Sequence, residues 1–163
     1  MLTTALQIAP LLPSKTIDNI FFKKFLRGIS SKEADERIHR LSETVSAQID
    51  CLACANCCKK LEPGLEAAEI ETLATLKQQA IDEFKQHYVA YDGEALYLKT
   101  KPCTFLEDCS CTIYENRPAA CSGYPHLNQP DMKFRRTLWE NYSVCPIVFN
   151  VVEELKSELG FIR

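Results

Sequence analysis

Apolar side chains recur along this chain mainly at steps of three and four residues, a rhythm that predicts helices. The clearest case is Ala34, Ile38, Leu41, Val45 and Ile49, a single stripe along one helix face. Ser30 and Glu33 precede it with capping-box spacing, which would satisfy two backbone amides at the helix start. The stripe runs directly into Cys51. Upstream, residues 1–13 close on Pro10 and Pro13 and read as a loose lead-in. Ser14 is placed to cap a helix carrying Ile17, Ile20, Phe21, Phe25 and Leu26, with Gly28 as its stop.

Beyond a turn at Pro63-Gly64, Leu65, Ile70, Leu73 and Leu76 describe another helix. Glu66, Glu69 and Glu71 lie at its start, where the helix dipole favours negative charge. Ile81, Phe84 and Tyr88 predict a shorter helix. Strict alternation is rarer. Asp92-Gly93 separates Val89–Tyr91 from Ala95–Leu98 and reads as a hairpin. A further strand is expected over Met132–Leu138, where Met132, Phe134, Arg136 and Leu138 alternate with Lys133, Arg135 and Thr137. Pro146 opens a last helix with Ile147, Val148, Val151, Val152, Leu155 and Leu159 on its apolar face, and Gly160 ends it. The expected fold class is mainly α with a small antiparallel β element, its helices organised around a cysteine-thiolate metal cluster. Residues 1–50 would be a helical segment and 51–163 a cysteine-cluster domain with a C-terminal helix, packed as one compact unit.

Composition narrows the function classes. At 163 residues, 46% hydrophobic and 25% charged, the chain can form an ordinary core without disulfide staples. A net charge of -3 offers no general attraction to nucleic acid, and none is expected as a partner. Lys23-Lys24 and Arg135-Arg136 read as solvated faces. No apolar run approaches the roughly 18 residues of a membrane span, and the opening residues make a poor secretory signal. A cytoplasmic location is therefore expected, where nine cysteines would be thiols or metal ligands. Nine is also odd, so full disulfide pairing would strand one thiol.

Four of those cysteines fall within eight residues, Cys51-Leu-Ala-Cys54-Ala-Asn-Cys57-Cys58. Three-residue steps let a tight loop wrap thiolates around one ion. The neighbours Asn56, Lys59 and Lys60 are polar, unlike those of cysteines used as small hydrophobes. The lysines favour the ionised sulfur that binds metal. In an extended backbone Cys57 and Cys58 would point to opposite sides, so the doublet either bridges two sites or sits in a turn. Sharing ligands with a second cluster is expected over a site built from this segment alone.

That second cluster runs Pro102-Cys103-Thr-Phe105-Leu106-Glu-Asp-Cys109-Ser-Cys111-Thr-Ile113-Tyr114-Glu-Asn-Arg117-Pro118-Ala-Ala-Cys121-Ser-Gly123-Tyr124-Pro125, with Cys145-Pro146 downstream. From Cys51 to Pro125 the pattern resembles the CxxCxxCC cysteine-cluster family of zinc- or iron-chelating domains. The resemblance implies a chelating set of Cys51, Cys54, Cys57, Cys58, Cys103, Cys111 and Cys121, with Cys145 as the eighth member. Cys109 departs from the pattern and would be a spare thiol, a substitute ligand or a redox-sensitive site.

Soft thiolates suit both zinc and iron–sulfur clusters, so the cofactor is expected to be zinc or iron. Eight thiolates would close two four-sulfur sites, or a four-iron cluster plus one zinc. Arg117 would offset thiolate charge and donate to sulfur. Tyr114 and Tyr124 read as packing residues, His39 and His87 as unrelated to the cluster, and His126 as an alternate ligand. No phosphate-cradling glycine loop and no HExxH signature is present, and no residue is singled out as catalytic. The expected function is metal binding in a structural or metal-handling role. The rival is an iron–sulfur protein of electron transfer or redox chemistry, and a domain that only presents its helices to a partner is the third class.

Overall fold

The structure, a computed structural model, describes residues 1–162. It is about 60% helical, with two small antiparallel sheets. In chain order the described elements are α1 (Ala5–Ile8), α2 (Leu12–Phe25), α3 (Ser31–Ser46), α4 (Cys51–Cys54), α5 (Asn56–Lys60), β1 (Gly64–Leu65), α6 (Ala67–Leu76) and α7 (Ile81–Tyr88). There follow β2 (Val89–Tyr91), β3 (Leu96–Leu98), β4 (Leu106–Glu107), β5 (Ser110–Cys111), α8 (Ala119–Ser122), α9 (Arg136–Tyr142) and α10 (Pro146–Glu158). The mainly α expectation with a small antiparallel element is met. The chain falls into two compact units, one of Met1–Cys54 with the chain from Pro125 onward, the other of Ala55–Tyr124.

In the first unit α3 packs against α10. The stripe Ala34, Ile38, Leu41 and Val45 is buried as the periodicity predicts, and Ile49 is buried just past the helix end. The Ser30 side chain accepts from Glu33 N at 3.1 Å, but Glu33 turns to Arg37 instead of closing the box. Pro146 starts α10, and Gly160, at φ 66°, ends it in the left-handed region that glycine enters cheaply.

Three expectations fail here. Residues 5–13 are helical: Thr4 and Gln7 make a reciprocal cap on α1, and a 3₁₀ turn leads straight into α2. Pro10 and Pro13 sit in first turns, where a missing N–H costs nothing. The buried face of α2 is centred on Phe22 and continues to Leu26, while Ile17, Ile20 and Phe21 are exposed. Finally, Met132–Leu138 is no strand. A 3₁₀ turn over Met132–Phe134 leads into α9. The Asp35 carboxylate accepts from Asp131 N at 2.7 Å and Met132 N at 2.9 Å, bending the backbone there. The buried Lys133 ammonium donates to Leu26 O and Ile29 O, in and just after the 3₁₀ turn that follows α2. Tertiary hydrogen bonds override a short alternation.

The second unit has its own core of Leu65, Ile70, Leu73, Ala74, Phe84, Leu98, Phe105 and Ile113. Its three-stranded sheet has the order β1-β3-β2. Gly64-Leu65, read as a turn and helix start, forms the edge strand β1, paired Gly64 to Tyr97 and Leu65 to Leu96. The β2–β3 hairpin forms at Asp92-Gly93 as predicted, with Asp92 Oδ1 accepting from Glu94 N and Ala95 N. A second hairpin, β4–β5, pairs Leu106 with Cys111 and Glu107 with Ser110. Sequence reading missed it. Asp108-Cys109 makes a two-residue turn, and Asp108 adopts φ 53°, which aspartate tolerates.

Candidate metal centre

Five thiols of the Ala55–Tyr124 unit are carried by short elements or turns, and each is held by backbone. Cys57 and Cys58 lie side by side in α5, with sulfurs 3.9 Å apart. A helical turn, not an extended segment, thus carries the doublet, and both sulfurs approach the same point. Ala55 precedes α5 with φ 46° and is buried, so the chain accepts a strained residue to start that helix between Cys54 and Cys57. Cys103 N donates to Cys58 O at 2.8 Å, tying the two cysteine segments together directly. Cys111 ends β5, and Cys121 sits in α8, where its N–H bonds Pro118 O at 2.8 Å.

Thiol charges act on Cys103 and Cys121 in this unit. Cys58 ionises at about 6, far below an ordinary thiol, chiefly through hydrogen bonding with Cys57; Arg117 and Lys59 assist against the opposing effect of burial. Burial pushes Cys103 up, and the nearby Cys58 and Cys111 add to that while Lys77 opposes it. Cys121 is pushed up to about 12 by burial first, then by the charges of Cys103, Cys58 and Cys111, with Arg117 opposing. Cys58, Cys103, Cys111 and Cys121 therefore share one electrostatic neighbourhood. Among the described residues, however, no three His, Cys, Asp or Glu side chains are drawn around one point in the geometry of a closed metal site.

Positive groups line this region. Arg117 donates from Nε to Tyr114 O at 2.8 Å and lays its guanidinium 3.6 Å from the Tyr114 ring centre. That stacking holds the charge whose effect reaches Cys58 and Cys121. Lys59 Nζ lies 3.5 Å from Cys109 Sγ, so the thiol outside the family pattern has a cation of its own at the β4–β5 tip. Lys60 is exposed. Lys77 Nζ donates to Thr104 O at 2.9 Å and sits 4.9 Å from the Phe105 ring centre.

Two of these contacts were invisible in the sequence. The Lys77 bond spans 27 residues. Glu69, read only as part of an acidic helix start, accepts from Ala119 N at 2.7 Å across 50 residues and from Glu66 N at 2.8 Å. Neither has a local signature.

The remaining predicted ligands belong to the other unit. Cys51 and Cys54 end the single turn α4, one helical turn apart and on one face. Cys145 is buried at the N-cap of α10, with its N–H on Asn141 O at 2.8 Å. All nine cysteines are thiols, not disulfides. His39 Nε2 lies 3.1 Å from Gln129 O, in keeping with a histidine outside the cluster, and His126 occupies a left-handed turn at φ 58°.

The donor set fits a thiophilic cation in kind. Thiol charges that raise the cost of ionising Cys103 and Cys121, with cations at their margin, make a set that a soft divalent ion would relieve. Among the described residues, no helix is long and apolar enough to cross a membrane. A family model described as "Putative zinc- or iron-chelating domain" matches residues 50–146, well over half of the chain and all of its cysteines. Neither a curated protein nor a solved structure matches the chain.

Proposed function

Since the chain belongs to the CxxCxxCC family, we propose that it chelates zinc or iron through cysteine thiolates, with Cys58, Cys103, Cys111 and Cys121 forming one site. The observation that carries this reading is the effect of Cys58 and Cys111 on both Cys103 and Cys121, together with the Cys103 N to Cys58 O hydrogen bond. Cys58, ionised near neutrality, offers the first thiolate. Cys103 and Cys121 hold their protons until a cation compensates them. A zinc or iron ion bound there would supply that compensating charge. Arg117 and Lys77 lower the remaining negative charge from the margin, an outer-sphere role that tunes ligand strength.

Cys51, Cys54, Cys57 and Cys145 complete the proposed ligand set on the strength of the family match, which includes them. The role that follows is structural or metal-handling, in a reducing compartment such as the cytoplasm, where nine thiols persist.

The test is elemental analysis of anaerobically purified protein. At least one equivalent of zinc plus iron per folded chain is expected, and less than that would overturn the proposal. The same sample separates the two metal chemistries. A colourless protein whose circular dichroism collapses on chelation indicates structural zinc. A visible band that bleaches with dithionite, with inorganic sulfide present, indicates an iron–sulfur centre.

A further inference from the structure

Helix α6 lies between the two cysteine-bearing segments of its unit in sequence, carries no cysteine, and yet is bonded at both ends to the second of them. Near its N-terminus Glu69 divides its carboxylate. Oε2 accepts from Glu66 N at 2.8 Å, closing the cap of α6 itself, and Oε1 accepts from Ala119 N at 2.7 Å, the first residue of α8. At its other end Lys77 Nζ donates to Thr104 O at 2.9 Å, the carbonyl immediately after Cys103. Ile70, Leu73 and Ala74 between them are fully buried in the unit's core, so the helix cannot shift without breaking that packing. Thr104 is tied a second time, through its N–H to Thr100 Oγ1 at 3.2 Å.

The elements that carry the thiols cannot hold themselves. α8 is four residues long and β5 two, and such pieces have no stability of their own. The Cys121 side chain is therefore only as well placed as the start of α8, and Glu69 is the side chain bonded to that start.

We propose that Glu69 and Lys77 are positioning residues for the metal centre, fixing Cys121 through α8 and Cys103 through the Thr104 carbonyl. The inference rests on the ligand reading above. Charge-assisted hydrogen bonds of this type are the stronger kind, and outer-sphere groups that hold metal ligands typically matter by about tenfold or more in affinity. Glu69 serves two amides with two oxygens, so its amide analogue retains one acceptor and turns a donor toward the other N–H.

Cobalt(II) alone, added anaerobically to the metal-free full chain, reports thiolate coordination through its sulfur-to-cobalt charge-transfer band. Glu69→Ala should lose about a quarter of that band per bound ion and release cobalt to a chelator about tenfold faster. Glu69→Gln should fall between it and wild type, and Lys77→Arg should be closer to wild type than Lys77→Met. Glu71→Ala is the control, because it removes the same charge from an exposed position on the same helix. If Glu69→Ala does not fold, the isosteric Glu69→Gln decides alone. Wild-type spectra and release rates in folded Glu69→Gln and Lys77→Met would overturn the inference and leave the ligand reading standing. Failure of the wild-type chain to develop the band would overturn both.

Discussion

Helices α3 and α10 meet chiefly through apolar side chains, with Arg37 and Arg40 paired to Glu158 at the margin, whereas the stretch from Cys103 to Cys121 is built from elements of two to four residues that carry its thiols. α3 buries Ala34, Ile38, Leu41 and Val45, and α10 buries Ile147, Val148, Val151, Val152 and Leu155. Each large apolar side chain withdrawn from water contributes about 1.5–3 kcal/mol, so this pair holds by repetition. The cysteine stretch anchors only Phe105 and Ile113 in its core. Outside that core its ties to the rest of the unit include Glu69, Lys77 and the Cys103–Cys58 backbone bond. One region is stable because many equivalent contacts average out; the other is defined by a few contacts that do not.

That contrast can be broken in several ways. The largest effect is expected from Leu155→Ala, which empties a fully buried position of α10. It should cost about 2–5 kcal/mol, seen as a lower urea midpoint with an unchanged slope. Metal per folded chain should stay the same, and a parallel fall would show that the two regions are not separable as described.

Next is the reactivity of the metal-free protein toward iodoacetamide. The thiolate is the reacting form, so a lowered pKa moves the rise in rate to lower pH. Cys58 should reach its plateau just above about 6, while Cys121, pushed up to about 12, should still be accelerating at the alkaline end. Allowing for the weaker nucleophilicity of an acidic thiolate, Cys58 should react at least about a hundredfold faster at neutral pH. Equal rates by peptide mass mapping would mean that the four thiols do not share the described field.

Lys133→Met should cost about 1–2 kcal/mol by leaving Leu26 O and Ile29 O without their buried donor. Thermal melts would register it with metal content intact. The smallest effect belongs to Cys109→Ser, at the hairpin tip beside Lys59. A serine hydroxyl can still accept from the ammonium, so stability should change by less than about 0.5 kcal/mol and bound metal not at all. Loss of an ion in that variant would promote Cys109 to a ligand.

The readable parts of the fold were those where periodicity and burial coincide. The α3 stripe, the Asp92-Gly93 hairpin and the Pro146 to Gly160 helix all announce themselves within a dozen residues or so. The expected α2 stripe holds only at its end: Leu26 is buried and Phe25 half-buried, while Ile17, Ile20 and Phe21 stay exposed and the neighbouring Phe22 is buried. The alternation over Met132–Leu138 lost to Asp35 and Lys133, whose partners lie about a hundred residues away. Within the candidate site the cysteine spacings were plain, and Arg117 was picked out beside them. Glu69 and Lys77 were not, because a side chain bonded to a distant backbone amide or carbonyl leaves no mark on its own neighbourhood in the chain.

The bond from Cys103 N to Cys58 O also sets an order of events during synthesis. Cys57 and Cys58 leave the ribosome well before Cys103, and Cys121 emerges later still. At roughly 5–20 residues per second the early pair waits several seconds for its partners. Throughout that interval Cys58 is without the partners that the proposed four-sulfur site would give it, and an ion captured by the pair alone would be loosely held and readily exchanged. On the proposed assignment, loading is a late step that follows closure of the Cys58–Cys103 contact. The nascent chain would then select its metal by what is available once Cys121 has emerged, not when Cys57 and Cys58 first appear.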